Sequence, residues 1–199
     1  MSDNQKTLKS SIEFIGVGLH TGEDVHMVIE PAKINHGVKF QRVDLENQPI
    51  LNADINLVTD TQRCTTLEKD NVKIVTVEHL MSALYALGVN NVLIKMDSSE
   101  VPILDGSAKY FVEEIQKVGL KIQDAPLKYI YLPNPIHYTD PNSGSEILFV
   151  PANNFIISVV LDYENLALRT QYAEIRDLKD YSTEIAPCKT FVFLTELEK

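Results

Sequence analysis

Hydrophobic positions along this chain follow two rhythms, and the change between them marks out its elements. Val25, Met27 and Ile29 alternate with polar neighbours, and Val38, Phe40 and Arg42 repeat the two-residue period. Such alternation predicts half-buried strands. From Val77 the period lengthens: Val77, Leu80, Met81 and Leu84 stand at i, i+3, i+4 and i+7, the apolar stripe of an amphipathic helix. Thr76 is a suitable N-cap and Gly88 a suitable residue just past the end. Alternation returns at Val92, Ile94 and Met96. A second helix is then predicted over 108–118, with Ser107 as N-cap, Phe111, Ile115 and Val118 on one face, and Gly119 closing it. Strands grouped with helices, without regular β–α alternation, predict an α+β layered unit over residues 1–125.

Around 123–126 the sequence turns polar and Pro126 interrupts, which reads as a linker. Strand-like runs resume at 129–132, 146–150 and 155–162. Pro133 and Pro135 end the first run or confine it to a sheet edge. Asp140-Pro141-Asn142-Ser143-Gly144 is a turn placed to join two antiparallel strands. Residues 126–199 therefore read as a second set of strand-like segments beyond the linker.

Composition narrows the class. With 199 residues and 44% hydrophobic content the chain can bury a sizeable core. The formal charge of −10, from 18 basic and 28 acidic residues, argues against a nucleic-acid partner, which requires a basic face. The N-terminal Met1-Ser2-Asp3-Asn4-Gln5-Lys6 lacks the apolar run of a signal peptide. No apolar stretch approaches the roughly 20 residues of a transmembrane helix. Two cysteines, Cys64 and Cys188, form no disulfide framework and no CxxC metal motif, so reduced thiols in the cytoplasm are expected.

The candidate chemistry begins with Glu78 and His79, adjacent in the first turn of the predicted helix. Unpaired backbone N–H groups give that turn partial positive charge. The field favours an ionised carboxylate and an uncharged imidazole, the states asked of a general base and a metal ligand. A Glu-His pair by itself reads first as a dipole-complementing acid beside a half-buried polar residue.

Four further segments change that weighting. They are Gly16-Val17-Gly18-Leu19-His20-Thr21-Gly22, Cys64-Thr65-Thr66-Leu67, Glu100-Val101-Pro102-Ile103-Leu104-Asp105-Gly106-Ser107-Ala108 and Ala186-Pro187-Cys188-Lys189-Thr190-Phe191. With Thr76-Val77-Glu78-His79-Leu80, and in this order and spacing, they resemble the UDP-3-O-acyl-N-acetylglucosamine deacetylases of lipid A synthesis. The resemblance runs from about Thr7 to Lys199. It implies two similarly folded layered domains, the first complete here and the second present only in its N-terminal part. It also implies a Zn2+ cofactor and a UDP-linked acylated glucosamine as substrate.

The same resemblance implies residue roles. Glu78 matches the general base, His79 a zinc ligand, and Thr190 the hydroxyl that stabilises a tetrahedral oxyanion. Leu19 and His20 match substrate-facing positions, Cys64 a position beside the pocket, and Phe191 the residue that follows the catalytic threonine. Asp105 supports the site from behind, and Asp162 with Tyr163 matches a pair contacting the uridine end. Two departures stand out. Lys189 replaces the family arginine, keeping charge without the planar fork. Val150 stands where the family has a lysine.

Family enzymes hold zinc with two histidines and an aspartate, and the other two ligands come from a His-Lys-x-x-Asp motif beyond the Thr-Phe segment. That motif is not found within these 199 residues. The resemblance thus implies a missing C-terminal part, in some members followed by a fused 3-hydroxyacyl-carrier-protein dehydratase, and an inactive 199-residue chain. The competing reading is a non-catalytic binding or interaction domain that keeps the fold without a complete zinc site.

Overall fold

The computed structural model describes residues 3–163 and 168–193. These fall into two compact units, one from Met1–Pro126 with Tyr181–Lys199 and the other from Leu127–Asp180. The sequence pattern places 126–199 in a second domain, whereas the described residues 181–193 group with the first unit.

In the first unit the strands are β1 (Asn4–Leu8), β2 (Ile12–Val17), β3 (Asp24–Pro31), β4 (Val38–Arg42), β5 (Ile50–Asn52), β6 (Val58–Asp60), β7 (Thr66–Lys69) and β8 (Val72–Ile74). Helix α1 (Glu78–Ala86), β9 (Val92–Met96), helix α2 (Lys109–Val118) and β10 (Leu120–Pro126) follow. Five strands form one sheet in the order β2-β3-β9-β4-β5. Within it β4 and β9 run parallel and the other pairs antiparallel. The strand pair β1 and β10 and the trio β6-β7-β8 make two smaller antiparallel sheets.

The two-residue rhythm does what it predicts. Val25, Met27 and Ile29 turn inward from β3, and Val92, Ile94 and Met96 from β9, all of them buried. Helix α1 adds Leu80, Ala83 and Leu84 to the core, and α2 adds Phe111, Val112 and Ile115. Phe111 meets Phe14 of β2 edge to face, with ring centroids 5.0 Å apart. Helices covering a sheet through one shared core make this an α+β layered fold. Gly119 ends α2 at φ 72°, a conformation open to glycine.

Two expectations are corrected. The polar stretch 123–126 is no linker but the end of β10, whose Gln123 donates to the Ala32 carbonyl and accepts from Asn91. The Gln123 side chain bonds inside the fold, so its polarity does not mean solvent. Ser107 does accept a hydrogen bond from the Lys109 amide, but Ala108 holds the cap position of α2.

The second unit contains β11 (Ile136–Thr139), β12 (Glu146–Phe149), β13 (Ile157–Asp162) and β14 (Thr170–Ile175), paired as two antiparallel hairpins. The Asp140 turn joins the first pair, its carboxylate accepting from the Asn142 and Ser143 amides. The run 129–132 is not a strand. Pro133 and Pro135 interrupt the donor pattern that pairing needs, and the first strand starts only after them. A short helix, α3 (Tyr181–Glu184), returns the chain to the first unit.

Candidate active site

Helix α1 begins at Glu78, so the Glu-His pair occupies its first turn. Thr76 is not its cap. Val77 holds that position without a side-chain hydrogen bond. Thr76 instead lies at φ 58°, an unusual conformation for a β-branched residue, and its hydroxyl donates to Glu100 Oε1 at 2.7 Å. Glu78 Oε2 accepts from the Thr65 amide at 2.9 Å, and Oε1 has no protein partner among the described residues. One carboxylate oxygen is thus held by backbone while the other remains available to a reactant. The half-buried His79 ring likewise has no hydrogen-bond partner among the described residues, while the His79 carbonyl accepts from Ser82 Oγ at 2.8 Å. Ser82 Oγ also lies 2.7 Å from the Tyr181 hydroxyl, which ties α3 to α1. Burial pushes the Tyr181 phenol up, against a smaller opposing effect of the Ser82 hydrogen bond.

The glycine-rich turn between β2 and β3 meets the same region. Its His20 and Thr21 amides donate to the carboxylate of Glu100, at 3.0 Å and 2.8 Å to Oε2, and the Thr21 hydroxyl adds a third donor at 2.9 Å. Leu19 and the His20 side chain stay exposed. Glu100 itself is completely buried. Burial alone would raise its pKa, but the Thr21 amide, the Thr76 hydroxyl, the His20 amide and the Thr21 hydroxyl outweigh it and hold the carboxyl below its usual value.

A third set of contacts brings in the end of the described chain. The Thr190 amide donates to the Gly106 carbonyl at 2.8 Å, and the Ala108 amide to the Ala186 carbonyl at 3.0 Å. Lys189 Nζ lies 3.3 Å from Asp105 Oδ2, while Asp105 Oδ1 accepts from the Ser107 hydroxyl at 2.7 Å. The Ser107 hydroxyl, with Lys189 beside it, keeps the Asp105 carboxyl below the ordinary aspartate value. The Thr190 hydroxyl is exposed and has no hydrogen-bond partner among the described residues. Phe191 packs edge to face on Phe193.

Hydrogen bonds link the motifs in sequence. Ile103 donates to Val17, Val75 to Ser99, Val101 to Val75 and Val77 to Thr65. Leu19, His20, Glu78, His79, Asp105, Thr190 and Phe191 therefore sit on segments of one stitched unit. Cys64 belongs to it as well, half-buried with its thiol 3.9 Å from the Thr66 hydroxyl. Asp162 and Tyr163 are in the second unit, where Asp162 accepts from Thr170 and the Tyr163 amide donates to Arg169. An open cleft of about 1040 Å³ beside Lys9, Lys33, His36 and Lys121 shares no residue with these motifs.

No group of three or more His, Cys, Asp or Glu side chains that could hold a metal occurs among the described residues. A catalytic zinc site takes three protein ligands. The described residues therefore do not form one by themselves. Sequence reasoning also passed over Glu100 as a functional residue, and Tyr181 entirely. The signal for Glu100 was present: a lone carboxylate directly before the apolar run 101–104 needs buried donors or it would not be there. Nothing local marks Tyr181, whose contact with Ser82 spans 99 residues of sequence.

The model of the family described as UDP-3-O-acyl N-acetylglycosamine deacetylase matches residues 5–199. The chain is similar to the bifunctional enzyme LpxC/FabZ of Bacteroides thetaiotaomicron, at 45% identity over 98% of this chain and 42% of the relative. It is similar to the bifunctional enzyme LpxC/FabZ of Porphyromonas gingivalis at 42% identity, with the same two coverages. The UDP-3-O-acyl-N-acetylglucosamine deacetylase of Chromohalobacter salexigens is 41% identical over 98% of this chain and 64% of that protein. The chain thus spans 42% to 64% of the length of these relatives. A family model covering nearly every residue, over motifs that the fold stitches into one unit, shows that the chain belongs to the UDP-3-O-acyl N-acetylglycosamine deacetylase family.

Proposed function

We propose that this chain supplies the catalytic base, one zinc ligand and the oxyanion donor of a deacetylase. The enzyme would remove acetate from UDP-3-O-(3-hydroxyacyl)-N-acetylglucosamine in lipid A biosynthesis. The observation that carries the reading is the state of Glu78: one carboxylate oxygen is fixed by the Thr65 amide and the other has no partner among the described residues. A general base needs that combination of fixed direction and an available lone pair. Amide hydrolysis also needs a donor for the oxyanion, and the Thr190 hydroxyl has no competing acceptor among the described residues.

Zinc belongs to this proposal with His79 as its one ligand here, the others coming from outside residues 1–199. Zinc when bound would supply a Lewis acid and a more acidic water. The steps assigned to this chain are its own: Glu78 takes a proton from the attacking water, and Thr190 donates to the oxygen that gains charge. Leu19, His20 and Phe191 would face substrate, Asp105 would hold Lys189 and Thr190 in place, and Asp162 with Tyr163 would meet the uridine end. Similarity to the two bifunctional enzymes supports a form with a fused second activity, and two free cysteines fit a reducing, cytoplasmic setting. No helix among the described residues is long and apolar enough to cross a membrane.

The test is acetate release from the UDP-linked substrate by the full-length polypeptide, with zinc content measured in parallel. Glu78→Gln should cut turnover by roughly 10²–10⁴-fold and keep the metal. His79→Ala should lose metal and activity together. Equal zinc loss in both variants would make Glu78 a ligand and overturn the assignment. Absence of any deacetylation by the full-length wild type would favour the non-catalytic binding domain.

A further inference from the structure

Glu100 is completely buried, and among the described residues its carboxylate accepts hydrogen bonds from backbone amides and hydroxyls and pairs with no cation. A carboxylate in such a place is costly unless its lone pairs are filled. The donors that fill them come from two different segments. Oε2 takes the His20 amide, the Thr21 amide and the Thr21 hydroxyl, all from the turn between β2 and β3. Oε1 takes the Thr76 hydroxyl, two residues before α1 begins, and shares the His20 amide at 3.1 Å.

Both sides are shaped around this carboxylate. A Cβ on Gly18 would stand 2.5 Å from Glu100 Oε2 and 2.3 Å from the Thr21 hydroxyl, so only glycine lets the turn close over it. On the other side, Thr76 holds a left-handed conformation, φ 58°, that is costly for a β-branched residue. That conformation is the bend carrying the chain from Val75, bridged to Glu100, into the helix bearing Glu78 and His79. Strain persists only where the surroundings impose it, and the Thr76–Glu100 hydrogen bond is the side-chain restraint there, beside the backbone bonds of Val75 to Ser99 and Val77 to Thr65.

We propose that Glu100 is a positioning residue that couples the Leu19-His20 turn to the Glu78-His79 end of α1, fixing the two against each other through one shared carboxylate. It touches neither substrate nor the reacting atoms. Its role at the reaction rests on the deacetylase reading above, but the mechanical coupling does not.

The experiment therefore has two arms on the full-length polypeptide. In the first, amide hydrogen exchange is followed at His20 and Thr21, and at Met81, whose amide bonds the Val77 carbonyl in the first turn of α1. Glu100→Gln should speed exchange at all three positions while β9 amides keep wild-type protection. Loss confined to one side, or spread evenly through the unit, would overturn the coupling. In the second arm, Thr76→Val keeps the side-chain shape and removes the hydroxyl. It should lower kcat by up to about 10²-fold with a much smaller change in KM, the mark of misplaced groups. Thr76→Ser restores the donor and should restore kcat. Equal behaviour of the valine and serine variants would overturn a role for the hydroxyl. If the wild type released no acetate at all, the deacetylase reading would fail while the exchange arm still decided the coupling.

Discussion

The two units use hydrophobic residues in opposite ways. In the first, β3 and β9 bury every second side chain beneath α1 and α2, and Phe40, Phe111, Ile29 and Ile94 are fully enclosed. In the second, β11, β12 and β13 expose all of their residues, among them Ile147, Leu148, Val160 and Leu161. The strands of the second unit are no less apolar than those of the first. Among the described residues of their own unit, no layer covers them. A two-stranded hairpin is marginal in water without a third strand or a helix against it. An apolar sequence thus commits a segment to strand, and only a partner layer turns that strand into stable structure.

Hydrogen exchange probes this contrast most directly and should show the largest effect. Amides of β9 should open with free energies near that of global unfolding, and those of β11 to β14 with far smaller ones. Equal protection in both units would break the comparison and show that the hairpins have another packing solution.

Core truncation comes next. Phe111→Ala removes a fully buried ring in contact with Phe14 and should destabilise the first unit by about 3–5 kcal/mol in denaturant titration. Leu148→Ala, on a side chain 62% exposed, should stay within about 0.5 kcal/mol. A larger Leu148 cost in a longer form of the protein would sharpen the comparison, because it would locate a covering element.

Acid tests the buried carboxylate of the first unit. The folded carboxyls of Glu100 and Asp105 both sit below their ordinary values, so each contributes stability above its unfolded pKa. That contribution is lost as pH falls below the unfolded value, 4.5 for Glu100 and 3.8 for Asp105, and through the folded values. The first unit should therefore lose stability in acid more steeply in wild type than in Glu100→Gln, as read by unfolding midpoints from pH 6 to pH 3. Parallel curves would mean that Glu100 is no more favourably ionised in the fold than in the unfolded chain.

The smallest effect is expected at Lys189. Its ion pair with Asp105 is well exposed on the lysine side, and such pairs contribute about 0–1 kcal/mol. Lys189→Ala should barely move stability. A cost above that range would mean that the pair holds residues 186–190 against α2 more firmly than its exposure suggests.

What the sequence determined by itself is local. The two-residue rhythm of β3, β4 and β9, the helical stripe of α1 and α2, the glycines at 88 and 119 and the Asp140 turn all follow from neighbours a few residues apart, where backbone period and side-chain direction are coupled. The Glu78-His79 pair was legible for the same reason, since a helix start places both in one turn. Other features were decided only by tertiary structure. The polar end of β10 becomes a strand because it pairs with β1 more than a hundred residues earlier. Thr76 leaves the cap role because a buried carboxylate 24 residues away takes its hydroxyl. Residues 186–190 join the first unit through backbone bonds to Gly106 and Ala108. In each case a polar group needed a partner, and sequence shows the need but not which distant segment meets it.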